Sequence, residues 1–185
     1  MAFYPALEGP ALDAHRKMVT NLKARAQKEL NLTEDEIVVR QLRPADLYAG
    51  DASTPDYNIG LTTTTWTNIV NSQTIADNRF VGINGFMVRN SGTAPVLGAG
   101  ILAITAWTPA VEQIRVTRKG SVARYYVVKD IPVFESQVGY TDEPVTIDQN
   151  TTVTIEGLAR LGSSISTTFD ILGAVVEKKG LLINP

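Results

Sequence analysis

The sequence predicts a mainly β fold: an antiparallel β-sandwich, jelly-roll-like in its connections, behind an N-terminal helical arm. Two observations predict it. Helical periodicity occurs only once, near the N-terminus. After Asn58 the chain turns to short runs of Thr, Val, Ile and aromatic residues, separated by Gly, Asn, Asp and Pro. Most of these runs lie too close together for helical crossovers, which favours antiparallel pairing. The 185 residues suit one compact domain with an extension, and 44% hydrophobic with 19% charged residues is a globular composition.

The elements follow in chain order. From Ala11 to Leu30, Leu12, Val19, Leu22, Ala26 and Leu30 recur at helical spacing, with Pro10 suited to the start and Asn31 to the stop. Arg16, Lys17, Lys23, Arg25 and Lys28 occupy the other face. Thr33 and Glu36 have capping-box spacing, which predicts a short helical turn. Ile37-Val38-Val39-Arg40 has strand character, and Pro44-Ala45-Asp46 reads as a turn. Residues 1–47 are therefore assigned to the arm, 48–58 to a linker rich in Gly, Asp, Ser, Thr and Pro, and 59–185 to the β domain. Its expected strands are Ile59 to Trp66, Arg79 to Arg89, Val96 to Trp107, Glu112 to Thr117, Val122 to Lys129, Val133 to Val138, Thr151 to Gly157 and Thr167 to Glu177, with a short one from Leu181 to Ile183. Arg118-Lys119-Gly120-Ser121 and Asp148-Gln149-Asn150 read as turns.

Two strands are apolar on both faces. Ile101, Ala103 and Trp107 oppose Leu102, Ile104 and Ala106, and Phe169, Ile171, Gly173 and Val175 oppose Leu172, Ala174 and Val176. Such strands need two covers: the sandwich core, and either the N-terminal helix or a neighbouring subunit.

The residues argue against an enzyme and imply no cofactor or metal. Cysteine is absent, which removes disulfides, zinc–thiolate sites and thiol nucleophiles together. His15 is the one histidine, beside the apolar stripe of the helix, and reads as a packed structural residue. Ser163 and Ser164 lack the Gly-x-Ser-x-Gly frame of a serine elbow, and the glycines of Gly82-Ile83-Asn84-Gly85 read as strand irregularity. The most apolar stretch, Val96 to Trp107, is too short to span a bilayer as a helix, so no membrane role is expected. A net charge of -2 gives no global attraction to nucleic acid. One basic cluster, Arg115, Arg118, Lys119 and Arg124, crowds a hairpin beside Tyr125 and Tyr126; a solubilising, edge-protecting role is favoured there over nucleic-acid binding, with an acidic protein partner as a third reading.

Phe80-Val81-Gly82-Ile83-Asn84-Gly85-Phe86, Asp130-Ile131-Pro132-Val133-Phe134 and the closing run from Phe169 to Gly180 follow a helical arm and a linker in a Thr- and Gly-rich β domain. In this the chain resembles the β-sandwich or jelly-roll capsid and capsid-decoration (cement) proteins of tailed bacteriophages and related archaeal viruses. The resemblance implies a virion protein made in the host cytoplasm. It also implies assembly as a homo-oligomer, a trimer or higher, with other capsid proteins and with the arm reaching a neighbour. The arm would then present Leu12, Val19, Leu22 and Ala26 as a subunit interface. The alternative is a ligand- or carbohydrate-binding β-sandwich module, with Trp66, Trp107, Tyr125, Tyr126 and Tyr140 as stacking surfaces.

Overall fold

The computed structural model describes residues 2–47, 57–61, 65–88, 111–134, 136–159 and 165–180. The strands are β1 (Phe3–Tyr4), β2 (Ile37–Gln41), β3 (Tyr57–Leu61), β4 (Thr67–Thr74), β5 (Arg79–Val88), β6 (Val111–Arg118), β7 (Arg124–Val127), β8 (Val138–Ile147), β9 (Thr152–Ala159) and β10 (Ile165–Lys178). The helices are α1 (Gly9–Leu30) and the single turn α2 (Pro44–Leu47).

The strands form two antiparallel sheets. One runs β1-β8-β5-β10-β2, with β3 also on β10, and the other runs β4-β9-β6-β7. The pairing is nested: β3 pairs with β10, β4 with β9, β5 with β8 and β6 with β7. Each of the eight strands thus finds its mirror position in a long folded-back ribbon. Rolling that ribbon up adds the contacts β5–β10 and β6–β9. This nesting is the jelly roll, and the strand alternation accounts for its filled interior. Val81, Ile83 and Phe86 from one sheet meet Ile114, Val116 and Ile155 from the other in one buried cluster.

The outward face of the first sheet is apolar as well, and α1 covers it. Met18, Leu22 and Ala26 pack on Phe80, Ala174 and Val176. Gly82 makes the close approach possible, because a Cβ there would lie 2.5 Å from the Met18 Sδ and 2.9 Å from the Leu22 Cδ1. The helix ends as its sequence requires. Pro10 stands in its first turn, and Asn31 adopts a left-handed φ of 53° with its N–H bonded to the Gln27 carbonyl. The Thr33–Glu36 capping box closes the next turn, with the Thr33 N–H donating to the Glu36 carboxylate at 2.9 Å.

Several expectations need correction. Leu22 and Ala26 have no exposed surface and pack within their own chain, so they do not form an interface to a neighbour. Val19 leans on the same cluster and Leu12 is half-buried. The reason is the doubly apolar β10, whose second face lies directly beneath the helix. Nor is the segment before Tyr48 a separate arm: β2 pairs with β10 from Ala174 to Lys178, and β1 pairs with β8. The strand expected from Val133 to Val138 is corrected at both ends: Val133 closes a 3₁₀ turn over Ile131–Val133, and the strand β8 begins only at Val138. Trp66 lies between strands, and β4 and β8 were not expected. The strands proposed at Val96 to Trp107 and Leu181 to Ile183, residues 48–56 of the linker expected over 48–58, and Ser163 and Ser164 lie outside the described residues, while Tyr57 and Asn58 of that linker belong to β3.

Candidate functional site

Polar and exposed aromatic side chains collect at several places among the described residues. The first is a cleft of about 420 Å³ beside α1, bordered by His15, Asn84, Tyr140 and Leu172. Its floor is a strand irregularity. On β5, Ile83 and Gly85 pair with Gly173 and Leu172, adjacent residues of β10, so Asn84 is an inserted residue. On the other side Ile83 pairs with Val145 and Gly85 with Tyr140, so β8 departs from the β5 ladder between Tyr140 and Val145, where Pro144 stands. Asn84 is only 1% exposed, yet its Oδ1 and Nδ2 both lack a hydrogen-bond partner, as does the Nδ1 of His15. An orphaned buried polar group costs about 1–3 kcal/mol, so this pair needs an explanation. Burial lowers the His15 pKa, and the nearby Asn84 carboxamide opposes that in part. The two side chains are neighbours without the geometry of a hydrogen bond.

The second place is an ion cluster next to the cleft. Arg40 donates to both Asp46 oxygens at 2.6 and 2.7 Å, and to both Glu177 oxygens at 2.8 and 3.1 Å. Its remaining donor reaches the Gln41 carbonyl at 3.2 Å. Arg79 completes the cluster with 2.9 Å to Glu177. Two guanidinium groups balance two carboxylates, and Glu177 is fully buried. The hydrogen bonds to Asp46, then those to Glu177, raise the Arg40 pKa against the opposing effect of burial. This cluster clamps β2 and α2 to β10 and β5.

The third place is the outward face of the second sheet. Arg115 makes a bidentate pair with Glu156, both bonds 2.6 Å, and its guanidinium lies 4.6 Å from the centre of the Trp66 ring. The hydrogen bonds to Glu156 raise the Arg115 pKa. Trp66 meets Tyr125 edge to face at 5.8 Å. Tyr125 is 50% exposed and Val127 47%, both on the edge strand β7, and Val122 in the preceding turn is 90% exposed.

The expected basic hairpin exists, with Gly120 at φ 79° in its turn. Its charge is largely answered within the chain. Arg115 holds Glu156, Arg118 donates to the Thr146 carbonyl, and Arg124 lies 3.9 Å from Glu143. Among the described residues Arg118 is answered by a carbonyl rather than a carboxylate, and no ion pair is made by the Lys119 ammonium. Of the expected stacking residues, Trp66 and Tyr125 come together. Tyr126 points into the core, where burial pushes its pKa up to about 12 and its hydroxyl donates to the Glu143 carbonyl. Tyr140 stands apart at the α1 cleft, and Trp107 lies outside the described residues. Arg40, Asp46, Arg79 and Glu177 were missed, because the strands they join are far apart in sequence. A single Asn inside the apolar run from Phe80 to Val88 was a readable signal for the cleft.

Among the described residues no helix is long and apolar enough to cross a membrane. Comparison with known families finds no family model that matches this chain, and comparison with curated proteins finds no match.

Proposed function

We propose that this protein is a virion structural subunit, a coat or cement protein, that acts by symmetric assembly with copies of itself and with other shell proteins. The observation that carries the reading is the nested strand order, since jelly rolls serve chiefly as viral capsid domains, lectins and cupins. The interior supports it further. Among the described residues the space between the sheets is packed with aliphatic and aromatic side chains, which favours work done on the outer faces and edges. The exposed β7 edge, with Tyr125, Val127 and the nearby Val122, is the surface that supports assembly best. The place of action under this reading is the virion, after synthesis in the host cytoplasm.

Light scattering coupled to size-exclusion chromatography tests it. A stable closed oligomer, weakened by Tyr125→Glu with Val127→Glu, is the expected result. A monomer at high concentration would count against it. A second reading, a carbohydrate-binding module, is favoured by one observation: Tyr125 keeps an exposed ring beside the fixed Arg115–Glu156 pair. A monomer that binds oligosaccharide and loses binding with Tyr125→Ala would establish that alternative.

A further inference from the structure

We propose that β7 is a self-pairing edge: two copies of this chain join their β7 strands antiparallel across a two-fold axis, with Tyr125 of each opposite Val127 of the other. The proposal rests on the assembly reading above and names its contact. β7 is the last strand of its sheet and pairs with β6. Just past its end, the Val128 N–H donates to the Glu112 carbonyl of β6 at 2.9 Å. Peptide groups alternate in direction along an antiparallel strand. Tyr126 and Arg124 therefore also turn theirs to β6, and the N–H and C=O of Tyr125 and Val127 point away from it. Among the described residues nothing in the chain bonds these outward groups. The same two residues carry the exposed apolar side chains of the strand. A free edge of this kind is a template for another strand.

Register and charge point to a second copy as the occupant. Antiparallel pairing centred on Tyr126 lets Tyr125 and the partner's Val127 exchange both main-chain hydrogen bonds, and the two-fold axis repeats the exchange at Val127. Each Tyr125 ring then lies beside a Val127 side chain on the outer face, an aromatic–β-branched cross-strand pair. A slip of two residues in either direction would set one of them against Ala123 or Lys129, beyond the ends of β7. The charges agree with the direction. Lys119, in the turn before β7, and Asp130, in the turn after it, are exposed and make no ion pair among the described residues. Antiparallel pairing brings the start of one β7 to the end of the other, so Lys119 of each copy nears Asp130 of its partner. Parallel pairing would set Lys119 against Lys119. Arg124 stays beside Glu143 of its own chain and falls opposite Val128, and Lys129 falls opposite Ala123, so no like charges are opposed. An edge that answers its own hydrogen bonds, apolar pair and charges when turned about a two-fold axis is matched by a second copy of itself.

Disulfide pairing and light scattering on the full chain test the proposal. The sequence has no cysteine, so protein carrying Tyr125→Cys can be mixed with protein carrying Val127→Cys and oxidised. The mixed disulfide should exceed either like pair by about tenfold or more, because residues directly opposite lie within disulfide reach and diagonal ones do not. Val127→Pro removes one outward N–H and leaves the bonds to β6 intact. That variant should melt cooperatively, yet form a smaller assembly than the natural protein at the same concentration. If it does not fold, the disulfide pairing decides alone. In a protein that oligomerises, like-pair disulfides, no disulfide, or an assembly mass that folded Val127→Pro leaves unchanged overturns the β7 pairing and leaves the assembly reading standing. A natural protein that stays monomeric at high concentration overturns both, and leaves β7 to a strand of a different protein.

Discussion

Glu177 is a carboxylate with no exposed surface, and it persists because Arg40 and Arg79 both reach it. Glu177→Gln would leave two guanidinium groups facing Asp46 alone, inside a region where Arg40 is only 11% exposed. Breaking a buried ion pair from one side costs about 3–5 kcal/mol. Chemical denaturation should show a loss of that size, with Glu177→Ala at least as severe. His15 sets a pH dependence of stability. Its folded pKa lies below the ordinary histidine value of 6.5, because burial disfavours the charged ring. Between the lowered pKa and 6.5 the unfolded chain binds more protons than the folded one, so stability rises with pH through that window. The contribution is complete above the window and is lost as the pH falls through it. Melting temperatures from pH 7 down to pH 5 should drop in the natural protein, and the drop should shrink in His15→Leu. Lone polar residues in apolar surroundings, such as Asn84 and His15, were visible in the sequence; their meeting was not, because 69 residues separate them (84 − 15).

At the scale of elements, two glycines show how closely the layers sit. A Cβ on Gly173 of β10 would collide with the Gly82 carbonyl oxygen of β5, which is backbone and cannot step aside. A Cβ on Gly82 would meet the Met18 thioether, a flexible chain end. Gly173→Ala should therefore cost more than Gly82→Ala, with overpacking on the order of 1–3 kcal/mol for the former. Thermal unfolding of the two variants decides the order, and equal losses would contradict this account. The elements also show what a pattern can hide. β4 reads Thr-Asn-Ile-Val-Asn-Ser-Gln-Thr, and Ser72 takes a positive φ of 47°, so its strand signal is interrupted twice over. Its polar side chains face water and pair across the strands, as Ser72 does with Thr154 and Thr74 with Thr152. β8 carries Asp142, Glu143 and Pro144, which argue for a loop; they are accommodated where β8 leaves the β5 ladder. By contrast α1 was legible nearly to the residue, because its caps are local: Pro10 and Asn31 act within one turn of themselves, as the Thr33–Glu36 box does for the short turn that follows.

For the whole molecule, the N-terminal 47 residues are part of the folding unit. Without them, Phe80, Ala174 and Val176 lose their cover, β10 loses β2 from one edge, and Glu177 and Arg79 lose Arg40 and Asp46. A chain beginning after Leu47 should be insoluble or lack the cooperative unfolding of the full protein. Soluble expression followed by circular dichroism checks this, and a folded, cooperative fragment would restore a separable arm. Leu22→Asp should have a similar but smaller effect, because it buries one charge on that same face without removing strands.

By itself the sequence determined the class of the fold, the long N-terminal helix and its ends, and the turn at Gly120, because periodicity, caps and turn residues are short-range physics. It also showed that β10 needs covers on both faces. Which cover lies on the second face was decided only in three dimensions, where β5 and β10 place Phe80, Ala174 and Val176 under Leu22 and Ala26. The nested strand order and the Arg40–Asp46–Arg79–Glu177 cluster belong to the tertiary structure for the same reason. Each depends on partners far apart in the chain, and a residue's identity does not specify which distant strand will lie beside it.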